Sequence, residues 1–127
     1  MILVDTSIWI DHFRHGDAEL RKIIEEDRLL CHPFVVGELA LGSLRERDAI
    51  LSFLAAQRET VIATHVEVMT VIERQSIFSM GIGYTDAHLL TSTLLDQRCS
   101  LWTRDKRLAT TAQKVGAKVH LPVQIPH

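Results

Sequence analysis

Four acidic side chains stand where the sequence changes character: Asp5, Glu38, Asp86 and Asp105, separated by 33, 48 and 19 residues. Asp5 ends the apolar run Ile2-Leu3-Val4, and Asp105 closes a polar triplet, Thr103-Arg104-Asp105, after Cys99-Ser100-Leu101-Trp102. Asp86 follows a loop containing Gly81 and Gly83, and Glu38 is the only charge in the stretch Phe34 to Leu41. A lone carboxylate in apolar surroundings is costly, whereas carboxylates gathered around a divalent cation have an electrostatic reason to coexist. Each acid also has a plainer reading. Asp5, Asp86 and Asp105 suit helix N-termini, and Glu38 can reach an arginine or solvent. Spacing alone does not bring the four together, so the elements that carry them decide.

Ile2-Leu3-Val4 has no polar alternation, the pattern of a strand buried on both faces of a parallel sheet. Thr6 or Ser7 can then cap a helix through Phe13. An amphipathic segment follows from Asp17 to Glu26, with Leu20, Ile23 and Ile24 on one face. Leu29-Leu30-Cys31 reads as a second strand. Pro33 suits the first turn of the next helix, whose nearly all-apolar character predicts packing on two sides. Further helices are expected over Arg45 to Gln57 and about Val66 to Phe78, with a short strand at Val61-Ile62-Ala63 between them. Gly81 and Gly83 lack the fuller pattern of a phosphate-binding loop and read as a point of close backbone approach. Thr85 is expected to cap a helix from Asp86 to Leu95, Cys99 to Trp102 to form a core strand, and Lys106 to Val115 a last helix ended by Gly116. Val119-His120-Leu121 suggests an edge strand, and residues 122–127 a frayed tail.

This alternation predicts a three-layer α/β fold in which helices flank a short central parallel sheet, with Asp5 and Asp105 emerging at the same sheet edge. In such sheets ligands bind beyond the carboxyl ends of the strands. At 127 residues the chain is expected to form one domain, 1–127. Fourteen Lys plus Arg against sixteen Asp plus Glu give a net charge of -2, so any nucleic-acid contact would need a local basic rim. Cys31 and Cys99 lie in apolar runs and read as buried free thiols. No stretch has the length of a membrane span and the N-terminus lacks a signal-peptide pattern, which suggests the cytoplasm.

The four acids in order resemble the motifs of a PIN-domain ribonuclease, more narrowly the VapC-like toxin of a prokaryotic toxin-antitoxin pair. Ile2-Leu3-Val4-Asp5-Thr6-Ser7 with Trp9-Ile10 resembles the first motif, and Val36-Gly37-Glu38-Leu39 the second. Gly83-Tyr84-Thr85-Asp86-Ala87 resembles the third and Leu101-Trp102-Thr103-Arg104-Asp105 the fourth. The resemblance runs from residue 1 to about 121.

It implies metal-dependent endonucleolytic hydrolysis of RNA, leaving a 5'-phosphate and a 3'-hydroxyl. Mg2+, or Mn2+, suits such oxygen ligands. One ion held chiefly by Asp5 and Asp105 would activate water, and a second, aided by Glu38 and Asp86, would stabilise the leaving oxygen. Thr6, Ser7 and Thr103 are candidates to orient carboxylates or waters. Arg104, Lys106 and Arg107 would offer the RNA backbone a positive margin, with Arg14, Arg45 and Arg47 as lesser contributors. The resemblance also implies a cognate VapB-like antitoxin, a homodimer, and transfer or ribosomal RNA as substrate. Ile8, Trp9, Leu41 and Phe53 are candidates for either interface or for the core. The seven histidines form no short-spaced metal motif. Three other readings compete: a noncatalytic RNA- or protein-binding module, a PIN-like nuclease acting on DNA, and a flavodoxin-like response module. The last lacks its close pair of acids after the first strand.

Overall fold

The computed structural model describes residues 1–122. Among them, three parallel strands, β1 (Ile2–Val4), β2 (Leu29–Leu30) and β3 (Ser100–Trp102), form one sheet in the order β2-β1-β3. Ile2 pairs with Leu29 on one side and Ser100 on the other, and Val4 with Trp102. β1 is the central strand, and all three of its side chains are apolar and buried. Leu3, Leu30 and Leu101 are entirely buried, and burying each stabilises the fold by about 2 kcal/mol. The parallel order requires a crossover between each pair of strands, and helices supply it on both sides of the sheet.

The helices are α1 (Thr6–His15), α2 (Ala18–Glu25), α3 (Pro33–Leu41), α4 (Arg47–Ala55), α5 (His65–Arg74), α6 (Tyr84–Leu95) and α7 (Lys106–Lys114). Their starts follow local chemistry. The Asp17 carboxylate accepts the Leu20 N–H at 2.9 Å to begin α2, and Thr64 and Glu67 form a reciprocal capping box on α5. Pro33 occupies the first turn of α3, where its missing N–H costs nothing. One continuous core joins Trp9, Leu20 and Ile23 to the sheet, and Leu89, Leu90 and Leu108 close it. Cys31 and Cys99 are buried free thiols, and burial pushes Cys31 up to about 12.

Several expectations need correction. Asp5, rather than Thr6 or Ser7, caps α1. α6 begins at Tyr84 behind Gly83, so Thr85 lies inside its first turn and caps nothing. α3 buries Val35 and Leu39 but leaves Phe34 38% and Leu41 91% exposed, so it does not pack on two sides. Residues 61–63 form no strand. Val61 N–H is taken by the Asp96 carboxylate at 3.2 Å, and the sheet instead gains a single bridge between Cys31 and Glu59. The expected strand at 119–121 is likewise one bridge, Val119 to Leu101. α4 and α5 are shorter than their apolar periodicity suggests. Ile8 and Trp9 belong to the core, whereas Leu41 and Phe53 stand exposed. Of the expected tail, residues 123–127 lie outside the described residues.

Candidate functional site

Asp5 leaves β1 and Asp105 leaves the turn after β3 on the same edge of the sheet, because the two strands run parallel and in register. Asp5 is only 6% exposed. Its Oδ1 accepts the Thr6 N–H at 2.7 Å, while Oδ2 accepts the hydroxyls of Ser7 at 3.1 Å and Thr103 at 2.7 Å. One oxygen of the carboxylate thus caps the helix while the other gathers two hydroxyls. Thr103 Oγ1 also accepts the Asp105 N–H at 3.0 Å, which ties the backbone of one acid to the side chain of the other. Asp105 caps α7 through Oδ1, accepting from Arg107 N–H at 2.9 Å and Leu108 N–H at 3.2 Å.

The other two acids come from helices. Glu38 projects from the exposed face of α3, and its Oε1 accepts the Thr6 hydroxyl at 2.9 Å. Since Asp5 has taken the cap of α1, Thr6 and Ser7 at the start of that helix have hydroxyls free to hold the two acids. Asp86 sits half-buried in the first turn of α6. Burial, followed by the charges of Asp5 and Asp105, pushes its carboxyl up to about 6 against the Gly83 backbone hydrogen bond, and Glu38 adds to the rise. All four predicted acids therefore share one electrostatic environment.

That environment has an excess of negative charge and only hard oxygen donors. Among the described residues, no three His, Cys, Asp or Glu side chains are already drawn into a closed metal cage. Mg2+ needs none, because it keeps several waters and binds through one or two carboxylates together with substrate phosphate. The donor set fits such an ion.

The basic residues after β3 divide into two groups. Arg104, 41% exposed at its side chain, gives Nη1 to Asp11 at 2.6 Å and Nη2 to Asp17 at 2.5 Å, and its guanidinium lies 5.7 Å from the Trp102 ring centre. Its charge is answered by the N-cap of α2 and by α1. Lys106 and Arg107 are exposed and have no carboxylate partner among the described residues. Arg107 lies across Gly81, where a Cβ would stand 2.9 Å from its Cδ and φ is +79°. A side chain at Gly81 would meet both a clash and left-handed backbone strain.

One further feature escaped the linear pattern. Rings carried by α3, α5 and α6 form a chain: His65 to Tyr84 with centroids 5.6 Å apart, Tyr84 to His88 at 4.7 Å, His88 to Phe34 at 4.4 Å and Phe34 to His32 at 5.2 Å. The signal was present only as spacing, Phe34 one turn before Glu38 and Tyr84 two residues before Asp86.

The parallel sheet with acids converging beyond its strand ends is the PIN architecture, and the chain belongs to the PIN domain family, which matches residues 2–114. Within that family it is VapC-like. It is 45% identical over 116 residues to Ribonuclease VapC32 of Mycobacterium tuberculosis, in strains CDC 1551 / Oshkosh and ATCC 25618 / H37Rv alike. The alignment covers 91% of this chain and 94% of that protein.

Proposed function

We propose that the chain is a toxin endoribonuclease, a single PIN domain that hydrolyses RNA phosphodiester bonds at the Asp5, Glu38, Asp86 and Asp105 site with Mg2+ or Mn2+ as cofactor. The observation that carries this reading is the geometry at the sheet edge, where Thr103 bonds both Asp5 and Asp105, Thr6 at the head of the same helix bonds Glu38, and Asp86 lies near enough to feel the charge of all three. The VapC-like relationship supports the choice of RNA.

When bound, the divalent ion would offset the phosphate charge and make a water acidic enough to attack at neutral pH. The protein's own contribution is preorganisation. Thr103 and Ser7 fix the Asp5 carboxylate, Thr6 fixes Glu38, and α7 fixes Asp105. Carboxylates held this way need not reorganise when substrate arrives. Lys106 and Arg107 supply the positive margin for the RNA backbone, and Arg104 braces the turn that carries Asp105.

The same reading assigns a VapB-like antitoxin as inhibitor, a homodimer as the working form, and transfer or ribosomal RNA as the target. Exposed Leu41 and Phe53 suit the protein interfaces. No helix among the described residues is long and apolar enough to cross a membrane, in keeping with a cytoplasmic site of action.

The test is to incubate metal-stripped protein with a folded RNA pool, with and without Mg2+ or Mn2+, and to map new 5' ends. Asp5→Asn and Asp105→Asn run in parallel, with DNA as competitor. Discrete metal-dependent cuts that both variants lose are expected. RNA binding without cuts, unchanged in both variants, would mean a binding module instead, and preferential cutting of the competitor a DNA nuclease.

A further inference from the structure

Residues 75–83 join α5 to α6 without a regular element. Among the described residues no backbone–backbone hydrogen bond reaches residues 78–82, and Ser76, Ser79 and Gly81 stand at φ +52°, +62° and +79°. Left-handed serines are costly and persist only where their surroundings hold them. Ile77, Met80 and Ile82 do part of this by packing on the core. One stripe of α7 does the rest, with Arg107, Thr111 and Lys114 following one another at spacings of four and three on a single face. Arg107 lies over Gly81, and Thr111 Oγ1 and Lys114 Nζ approach Met80 Sδ at 3.9 Å and 3.8 Å. Lys114 Nζ also donates to the Ser76 carbonyl at 2.8 Å.

We propose that Lys114 is a positioning residue for the carboxylate site: by seating this loop on α7 it fixes the first turn of α6, and so the separation at which Asp86 and Asp105 meet a divalent cation. This rests on the ribonuclease reading and adds to it a residue about 14 Å along α7 from Asp105.

Three relationships carry the assignment. Asp105 is the N-cap of α7, so the helix that seats the loop also holds one of the acids. Asp86 lies in the turn that the loop delivers: the Gly83 carbonyl accepts the Ala87 N–H at 3.0 Å to open α6, and no side chain caps that end. The core grips α6 from Ala87 to Thr93, all of them buried, and Asp86 stands just outside that stretch. Finally, the charge of Asp105 bears on Asp86. Like charges push the first turn of α6 away from α7, and the Lys114 bond opposes that push.

The experiment titrates metal-stripped, RNA-free, full-length protein with Mn2+ and counts the free ion by electron paramagnetic resonance. Lys114→Met keeps the stem and its contact with Met80 but removes the donor, whereas Lys114→Arg keeps a donor. Lys118→Met is the comparison, because Lys118 Nζ also donates to a backbone carbonyl, that of Gln97 at 3.2 Å, but ahead of β3 rather than beyond it. Expected is a roughly tenfold weaker Mn2+ affinity in Lys114→Met, the loss seen when a group that orients a metal ligand is removed. Lys114→Arg should restore most of it, and Lys118→Met should lose none. Removing a positive charge near carboxylates would by itself tighten cation binding, so the sign of the change separates positioning from simple electrostatics. RNA cleavage by Lys114→Met should fall at limiting Mg2+ and return at saturating Mg2+, which loss of a phosphate contact would not produce. Melting followed by circular dichroism verifies that each variant is folded.

Unchanged or tighter Mn2+ binding in Lys114→Met overturns the proposal, as does an equal loss in Lys118→Met or no recovery in Lys114→Arg. Wild-type protein that binds no Mn2+ without RNA overturns it too. None of these results touches the ribonuclease reading, which fails separately if wild-type protein makes no metal-dependent cuts in RNA.

Discussion

Thr103 and Asp5, 98 positions apart in sequence, meet through a 2.7 Å hydrogen bond in which the threonine hydroxyl donates to Oδ2 of the acid. The same oxygen of Thr103 receives the Asp105 N–H. One side chain thereby sets the relation between the acids that end β1 and follow β3. Removing the hydroxyl leaves both acids present but loosely held.

Thr103→Val is therefore expected to weaken Mg2+ affinity and lower RNA cleavage by about 10- to 100-fold, as loss of a group orienting a metal ligand commonly does. Thr103→Ser should recover most of it. Metal titration of cleavage, alongside thermal melts that stay within a few degrees of wild type, checks this. Equal activity in Thr103→Val would remove the hydroxyl from the site.

Arg104 and its neighbours should separate in a salt experiment. Arg104 bridges Asp11 and Asp17. Since partly exposed ion pairs contribute little, Arg104→Met should cost only about 1 kcal/mol of stability. Its RNA affinity should keep the wild-type salt dependence. Lys106→Ala and Arg107→Ala should each reduce the slope of log affinity against log salt by roughly one, the effect of losing one phosphate contact. A reduced slope in Arg104→Met would return that residue to the RNA margin.

Asp86 is held against its neighbours' charges. A carboxyl raised to about 6 in the native state binds a proton that the unfolded chain, titrating near 3.8, has already released. Metal-free stability from this group is present below that unfolded value and declines as pH rises through about 6. Asp86→Asn should thus be more stable than wild type in EDTA at pH 7.5, by roughly 1 kcal/mol, and inactive. Addition of Mg2+ should raise the melting temperature of wild type more than that of the variant. Identical shifts would show that Asp86 lies outside the cation's reach.

His32 should impose a second pH dependence. Burial, with a smaller effect from the His88 imidazole, pushes it down to about 4, and its Nδ1 caps α3 by accepting the Phe34 N–H at 3.0 Å. That nitrogen must stay unprotonated. Between the unfolded value of 6.5 and about 4, the unfolded chain takes a proton that the native state refuses. Its contribution is complete above 6.5 and is lost as pH falls toward 4. His32→Asn retains a capping oxygen without a titrating ring, so chemical denaturation at pH 7 and pH 5 should show a flatter difference than in wild type. An unaltered slope would point to another group.

The chain's own pattern determined the strands β1 to β3, the parallel sheet and the position of Asp5, Asp86 and Asp105 at the starts of helices. The reason is local: a strand covered on both faces needs an unbroken apolar run, and the backbone turns where the run meets a capping side chain. It also left Asp5 and Asp105 open between capping and site chemistry, because both roles put the same residue type at the same junction. Only tertiary structure showed that both do cap, with Oδ1 of each acid bonded to a helix N-terminus. Local pattern misled where a distant side chain intervened. Val61-Ile62-Ala63 has the composition of a strand, but Asp96 takes the Val61 N–H that pairing would need. Nor did local pattern announce the partners of Arg104, which lie 87 and 93 residues back. Glu38 looked solitary in α3 until Thr6, 32 residues away, gave it a hydroxyl. Such partnerships have no period and no local signature, since they are set by how helices cross the sheet, and that depends on the packing of the whole core.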